Sequence, residues 1–267
     1  MGILPAWIRS EVDRRGRETL QELRLRINAP PELVLSDGSV FLGGSVSRDD
    51  LNFCINTASR YSPWASATVS KGFITAPGGH RIGLCGTVVC KSGIVTGMRE
   101  VHSLCIRVAR DFPGIADHAG YISGSVLILG APGWGKTSLL RDLCRRISRE
   151  RLLSVVDERE ELFPQGFKQG NRMDVLRGCP KTCGIEMLLR TMGPEYIAVD
   201  EITAPEDCDA LIRAANCGVH LLATAHAASL SDYQERSVYR AAVEHGLFGT
   251  VLVLYPDKSY TVERVKL

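Results

Sequence analysis

A glycine-rich loop at residues 130–137 constrains the fold of this chain more than any other feature. It reads GAPGWGKT, a full match to the pattern G-x-x-x-x-G-K-[ST]. The apolar run SVLIL precedes it, and SLLRDLCRRIS follows it with apolar residues at helical spacing. Because a strand, this loop and a helix in that order form a phosphate cradle, the sequence predicts an α/β fold of the P-loop type.

The residues of the loop predict how a nucleotide is held. Its glycines allow backbone N–H groups to converge on phosphate oxygens, and the following helix adds its positive end. Lys136 supplies a cation for the outer phosphates, and Thr137 offers a hydroxyl to Mg²⁺. ATP and Mg²⁺ are therefore the predicted ligands. The predicted nucleotide contacts are Gly130, Ala131, Pro132, Gly133, Trp134, Gly135, Lys136, Thr137 and Ser138.

Polar side chains follow three further apolar runs. Asp200 and Glu201 come after YIAV, and His226 comes just after LLATA. An aspartate at the end of a buried strand beside a P-loop can hold Mg²⁺, and the neighbouring glutamate can orient the attacking water. LLSVV is followed in the same way by Asp157, Glu158, Arg159 and Glu160. Since parallel strands present their carboxyl ends at one edge, we expect these groups to surround one triphosphate.

Arginines are candidates for a further cation at the phosphates, because charge on the transferring phosphoryl group often needs one. The sequence does not single out one of them. The candidates are Arg81, Arg99, Arg107, Arg159, Arg172, Arg177 and Arg190.

The apolar patterns divide the chain into two predicted domains. Residues 1–115 read as a smaller α+β domain, with a helix over 6–20, a strand over 22–27 and a helix starting at Ser47. A linker rich in Gly, Pro and Asp is predicted over 111–124. Residues 116–267 hold the alternating strands and helices of the parallel sheet and end in a predicted hairpin.

Composition excludes several classes of protein. With 32 basic and 30 acidic residues, the net charge of +2 does not indicate a polybasic nucleic-acid coat. The odd number of cysteines, nine, favours reduced thiols and a cytoplasmic setting. Cys179 and Cys183 lie close together, but the sequence has no second cysteine pair and no histidines at the spacing that a zinc site needs. No apolar stretch approaches the roughly 18 residues of a membrane span, and the first residues lack the pattern of a signal peptide.

In this order, the P-loop, the acidic segment, the Asp200–Glu201 pair and the histidine segment resemble the secretion ATPases of type II, type IV and pilus machines. The chain resembles the sporulation stage III protein AA family more closely. The stretches that carry this resemblance are ELRLRINAPPELVL, GGHRIGLCG, VVDERE, RMDVLRGCPK, LLRTMGPEYIAVDEI and LLATAH.

The resemblance implies a RecA-like ATPase domain preceded by the smaller domain, assembled into a homo-hexameric ring. It implies a cytoplasmic motor that acts at a membrane through a membrane protein of a sporulation channel, between mother cell and forespore. By position, Lys136, Thr137, Asp200 and Glu201 carry over to phosphate, Mg²⁺ and water contacts. Glu158 or Glu160 carries over to the acidic box. Glu201, Lys136, Glu158 and His226 are thus the predicted catalytic residues, and Thr137 and Asp200 the predicted metal ligands.

Three alternatives remain open on the sequence. A small-molecule kinase on the same fold needs an arginine-rich lid, and none is evident after the core. A nucleic-acid motor of RecA or helicase type is weakly permitted by the first 120 residues, where 14 basic residues face 11 acidic ones. A scaffold that binds ATP without turnover is disfavoured, because Lys136 and Glu201 are both present.

Overall fold

The structure, a computed structural model, describes residues 2–15, 18–59, 72–164 and 166–265. The chain divides into two compact units, with the boundary between Arg110 and Asp111. The elements of the first unit are α1 (Ala6–Arg15), β1 (Leu20–Arg26), β2 (Glu32–Leu35), β3 (Gly38–Phe41), α2 (Arg48–Ala58), β4 (Phe73–Thr75), β5 (Arg81–Lys91) and β6 (Ile94–Arg107).

The first unit is built on an antiparallel sheet with strand order β3-β2-β1-β6-β5-β4. Strand β1 alternates, and its buried residues Leu23 and Leu25 point to the side that packs in the core. Helix α2 begins at Arg48, one residue after the predicted start, because Ser47 is its N-cap and forms a capping box with Asp50. The predicted helix over 6–20 is too long: α1 ends at Arg15, and Leu20 already belongs to β1, where it is fully buried.

The second unit contains the predicted parallel sheet. Its elements are β7 (Val126–Leu129), α3 (Lys136–Ile147), β8 (Leu153–Asp157), β9 (Met173–Arg177), α4 (Lys181–Thr191), β10 (Tyr196–Ile202), α5 (Pro205–Asn216), β11 (His220–Ala225), α6 (Leu230–Glu235), α7 (Arg240–Glu244), β12 (Thr250–Leu254) and β13 (Tyr260–Arg264). The strand order is β13-β12-β7-β11-β10-β8-β9.

All neighbouring strands of this sheet run parallel except β13, which returns antiparallel to β12. The last two strands are the hairpin that the sequence predicts. Helices cover both faces, so neighbouring residues of one strand enter different cores. Leu127 and Leu129 of β7 pack with α4 to α7, whereas Val126 and Ile128 pack with α3. The strands that carry the predicted site residues therefore end at the same edge.

The segment predicted as a linker, 111–124, is held on the second unit instead. The carboxylate of Asp142 in α3 accepts the amides of Gly114 and Ala116, both at 2.9 Å. Arg146 donates to the carbonyl of Ala116 at 2.7 Å. Ala116 itself is fully buried. Loop composition alone predicts a linker here, but the segment is held by hydrogen bonds to residues of α3.

Candidate nucleotide site

The loop after β7 has the backbone of an anion cradle. Gly133 and Gly135 adopt φ of +77° and +103°, the left-handed region that residues with a side chain rarely adopt. Gly135 is the N-cap of α3, and in the described part of the chain no side chain caps this helix. The first-turn amides therefore point into the loop without an internal acceptor from a side chain, which suits phosphate oxygens.

Lys136 lies almost buried at the centre of the loop. Its ammonium donates to the carbonyls of Gly130 at 2.8 Å and Ala131 at 3.1 Å, and it contacts Nδ1 of His226 at 3.0 Å. An ammonium has no acceptor, so Nδ1 accepts and the proton of a neutral His226 ring sits on Nε2. Burial lowers the pKa of Lys136, against the raising effect of the carboxylates of Asp200 and Glu201.

Asp200 is hydrogen-bonded to Thr137, the other predicted metal ligand. Its Oδ2 accepts from the hydroxyl of Thr137 at 2.7 Å, and its Oδ1 accepts from the hydroxyl of Thr224 at 2.7 Å. Thr137 lies in the first turn of α3, which follows β7, and Asp200 lies in β10. In the sheet β11 lies between β7 and β10, so the two residues are close to each other at the same edge. A hydroxyl and a carboxylate oxygen are hard ligands, which fits Mg²⁺.

Both carboxylate oxygens of Glu201 and its backbone N–H have hydrogen-bond partners. Its Oε1 lies 2.9 Å from Nε2 of His226, and its Oε2 lies 2.7 Å from the guanidinium of Arg159. Its backbone N–H donates to the hydroxyl of Thr224 at 2.8 Å. Its φ is +56°, a costly value for a residue with a side chain. Lys136, His226, Glu201 and Arg159 thus form one hydrogen-bonded chain.

The acidic segment after β8 does not join this chain through its carboxylates. Asp157 is buried, and its oxygens accept the amides of Glu161, Leu162 and Phe163 at 2.9, 3.1 and 2.7 Å. Burial raises the pKa of Asp157, although the amides of Phe163 and Leu162 lower it. Its visible role is to fold the loop that follows the strand.

Glu158, a predicted catalytic residue, contacts a different cation. Its carboxylate lies 2.6 Å from the ammonium of Lys181, which is itself almost buried and 3.5 Å from Asp207. In the sheet, β8 is the neighbour of β10 and is separated from β7 by β10 and β11. The structure therefore brings Lys136, Thr137, Asp200, Glu201 and His226 together and leaves Glu158 in a separate cluster.

The remaining loop residues shape the rim of the cradle. Trp134 is partly buried against the core that contains α3, and its amide closes a turn on the carbonyl of Ala131 at 3.3 Å. The ammonium of Lys258, in the hairpin between β12 and β13, donates to the carbonyl of Gly133. The side chain that a non-glycine residue would place at position 130 would meet Leu254 at 3.2 Å.

Arg99 lies in β6, and the other six candidate arginines have partners other than the loop. In the first unit, Arg81 stacks on Phe73 and Arg107 lies 3.3 Å from Glu22. The second-unit pairs are Arg172 with the carbonyl of Glu150, Arg177 with the carbonyl of Phe163, Arg190 with Glu186, and Arg159 with Glu201. Of these four, Arg159 is the one whose partner belongs to the site.

Sequence reasoning missed three contributors to the site. Thr224 is fully buried, and its hydroxyl joins Asp200 to the backbone of Glu201; a polar residue within the apolar run LLATA was the available signal. The hydroxyl of Tyr239 accepts the amide of His226 at 3.2 Å. Lys258 reaches the loop from 125 positions away, and nothing local marks it.

The sequence profile of one protein family matches almost the whole chain. The family is described as "Sporulation stage III, protein AA", and the match covers residues 2–264. The chain belongs to this family. It is also similar to the stage III sporulation protein AA of Bacillus subtilis, at 38% identity over 92% of this chain and 85% of that protein.

A more distant relative comes from plants. The protein SEEDLING PLASTID DEVELOPMENT 1 of Arabidopsis thaliana is 27% identical over 86% of this chain. The match covers 33% of the plant protein, so most of that protein lies outside the similarity.

Two solved structures share the fold of the chain. The ATPase DotB of Legionella pneumophila superposes with a TM-score of 0.62 at 16% identity, covering 98% of this chain and 80% of that one. The pilus retraction motor PilT with bound ADP gives 0.63 at 15% identity, covering 97% and 82%. The predicted fold class, a RecA-like P-loop unit preceded by a smaller α+β unit, is confirmed. Among the described residues, no helix is long and apolar enough to cross a membrane.

Proposed function

We propose that this protein is a Mg²⁺-dependent ATPase that works as a ring-forming motor of a secretion or channel complex during sporulation. The observation that carries the proposal is the hydrogen-bonded chain from Lys136 through His226 to Glu201, with Thr137 and Asp200 beside it. A cation, two metal-ligand oxygens and a carboxylate at one sheet edge are the groups that triphosphate hydrolysis requires.

Each group has one role in the proposed reaction. The amides of the loop and the ammonium of Lys136 bind the outer phosphates and offset the charge that develops on them. Thr137 and Asp200 would hold Mg²⁺, which when bound neutralises phosphate charge. Glu201 orients water toward the γ-phosphate and accepts its proton. His226 links that carboxylate to Lys136, so a change in the contacts of Lys136 also affects Glu201.

Binding of ATP requires Lys136 to change partners. Its three contacts are with two loop carbonyls and His226, and phosphate oxygens are stronger acceptors for an ammonium than neutral groups are. When Lys136 turns to phosphate, Nδ1 of His226 loses its donor. This exchange gives the site a direct way to report the phosphate state to β11, and from there to the sheet.

Phosphate release measured at steady state tests the enzymatic part. Lys136→Ala and Glu201→Gln should each lower kcat/KM for ATP by about 100-fold or more, because one removes a phosphate cation and the other the water-orienting base. The matched controls are Lys168→Ala and Glu244→Gln, which change exposed side chains of the same types. Equal rates for the wild type and both site variants would overturn the proposal.

The motor part needs its own measurements. The mass in solution, with and without a non-hydrolysable ATP analogue, should report a hexamer, and a mass that stays at one chain in both conditions would contradict the ring. In Bacillus subtilis lacking its stage III sporulation protein AA, the wild-type chain should restore spore formation and Glu201→Gln should not. Restoration by both would separate sporulation from hydrolysis.

The family and the fold support a partner at the membrane rather than a nucleic acid. The resemblance implies a cytoplasmic location, with the chain held at the membrane by a protein of the sporulation channel. DNA or RNA binding that falls steeply with salt would instead support a nucleic-acid motor. Formation of ADP only in the presence of a small-molecule acceptor would support a kinase.

A further inference from the structure

The contact between Arg159 and Glu201 has no place in the reaction as proposed so far. The guanidinium of Arg159 lies 2.7 Å from Oε2 of Glu201, while His226 lies 2.9 Å from Oε1. Both oxygens of one carboxylate therefore have a donor, and the two donors lie in segments that follow different strands, β8 and β11. A charge-assisted bond of this length is among the stronger single contacts a carboxylate makes.

The segment that carries Arg159 is anchored on both sides. Before it, Asp157 folds the loop by accepting three backbone amides, and Glu158 is tied to the almost buried Lys181 at 2.6 Å. After it, the backbone N–H of Glu160 donates to the carbonyl of Asp157 at 3.3 Å, and Glu160 adopts a left-handed φ of +57°. For an exposed arginine whose segment is not held in place, the side-chain entropy lost on forming an ion pair offsets much of the free energy of that pair. Anchored neighbours reduce that loss.

We propose that Arg159 is a positioning residue for Glu201, holding the carboxylate in the orientation from which it acts on water. This inference rests on the proposed function. It also gives a role to Asp157 and Glu158 of the acidic segment, because their contacts hold the loop that presents Arg159. A guanidinium already paired with Glu201 is a poor candidate for a direct contact with phosphate.

The loss of Arg159 should affect turnover and not nucleotide binding. The amides of the loop and Lys136 remain, so KM for ATP and the affinity for a non-hydrolysable analogue should change by less than about 2-fold, since neither contact involves Arg159. Glu201 keeps only His226, and its carboxylate can rotate. A misplaced catalytic group costs up to about 100-fold, so Arg159→Gln should lower kcat by about 10- to 100-fold.

The matched control is Arg190→Gln. Arg190 forms an exposed ion pair with Glu186 in α4, far from the P-loop in the strand order, and its loss should leave kcat unchanged. Arg159→Lys keeps the charge but has one donor group in place of a planar fork, so its kcat should lie between those of the wild type and Arg159→Gln. Lowered kcat in Arg190→Gln would mean that any lost arginine has this effect, and would overturn the inference.

A double-mutant cycle identifies the partner of Arg159. Single-turnover rates with excess enzyme remain measurable for slow variants. If Arg159 acts through Glu201, then adding Arg159→Gln to Glu201→Gln should change the rate by less than about 2-fold, because the interaction is already gone. An arginine that contacts phosphate or only supports the fold would cost the same factor in both backgrounds, which would contradict a positioning role.

Failure of this inference can be told from failure of the proposed function. If the wild type releases phosphate, Glu201→Gln abolishes it and Arg159→Gln is silent, the positioning role is wrong and the ATPase stands. If the wild type releases no more phosphate than Glu201→Gln does, the proposed function itself is wrong, and the role of Arg159 falls with it.

Discussion

At the scale of single residues, the site depends on buried groups that hydrogen-bond to two partners at once. Thr224 is the clearest case, because its one hydroxyl both donates to Asp200 and accepts from the amide of Glu201. Both bonds lie inside the sheet, where water cannot replace them. This one oxygen atom therefore helps to hold both the metal ligand Asp200 and the strained backbone at Glu201.

Replacing Thr224 with valine should damage both stability and activity. The side chains have the same shape, but valine leaves the amide of Glu201 without an acceptor. An unsatisfied buried group costs about 1–3 kcal/mol, so the free energy of unfolding in urea should fall by that amount. The affinity for Mg²⁺ in the ATPase assay should fall as well, because Asp200 loses the bond that orients it.

Thr261→Val is the matched control for this change. Thr261 is an exposed strand residue whose hydroxyl lies 3.2 Å from that of Tyr255. Its loss should shift the free energy of unfolding by no more than about 0.5 kcal/mol, as for an ordinary surface position. Equal effects at positions 224 and 261 would show that the buried hydroxyl has no special role.

At the scale of elements, the sequence predicts the strands that are buried on both faces and the C-terminal hairpin, but it misses β9, which forms one edge of the sheet. β7, β8, β10, β11 and β12 are continuous apolar runs, and all five are present. β9 alternates between buried Met173 and exposed Asp174, and it pairs only with β8. Its pattern resembles a loop because half of it faces water.

Gly184 shows why the packing of α4 could not be predicted from its own sequence. A glycine inside a helix lowers helix propensity, and nothing local explains it. In the structure, a Cβ at Gly184 would lie 2.6 Å from a methyl group of Val156 in β8. The glycine lets the helix approach the strand that carries the acidic segment, which is a fact about a partner 28 positions away.

Gly184→Ala should therefore destabilise the protein even though alanine favours helices. Overpacking costs about 1–3 kcal/mol, which exceeds the gain of up to about 1 kcal/mol in helix propensity. Combining it with Val156→Ala should recover part of that loss, so the two changes are non-additive in urea denaturation. Gly184→Ala that stabilises the chain would show that the helix moves freely away from β8.

The loop after β8 should give the stability a characteristic pH dependence. Burial raises the pKa of Asp157 above its ordinary value of 3.8, so the folded state binds more protons than the unfolded state just above that value. The contribution of Asp157 is present in full below pH 3.8 and is lost as pH rises through the raised pKa. Other titrating groups cancel when the wild type is compared with Asp157→Asn.

Asp157→Asn should be the less stable protein throughout this range, by about 1–3 kcal/mol, because an amide nitrogen cannot accept the N–H of Phe163. The stability advantage of the wild type should shrink as pH rises from 4 to 7, in urea denaturation measured at each pH. An advantage that grows with pH would mean that the amides outweigh burial and that the pKa is lowered.

At the scale of the whole molecule, the chain has separate hydrophobic cores in its two units. The sequence predicts both units, because the alternating apolar residues typical of antiparallel strands differ from the continuous apolar runs typical of buried parallel strands. It misjudges the segment between them. Residues 111–124 have the Gly, Pro and Asp content of a linker, yet Asp142 and Arg146 in α3 bind their backbone. Those partners lie 26 to 30 positions further along the chain, so no local sequence pattern connects them with the segment.

This assignment predicts where the chain can be cut. A fragment of residues 111–267 keeps the contacts of Asp142 and the ion pair of Arg145 with Asp111 at 2.6 Å, so it should unfold in one cooperative transition. A fragment of residues 125–267 leaves the buried carboxylate of Asp142 without its amides and Arg145 without Asp111. A hydrogen bond to a charged group is worth about 1.5–3 kcal/mol, so this shorter fragment should be less stable by at least that amount in urea denaturation. Equal stabilities would mean that residues 111–124 are the linker that their composition suggests.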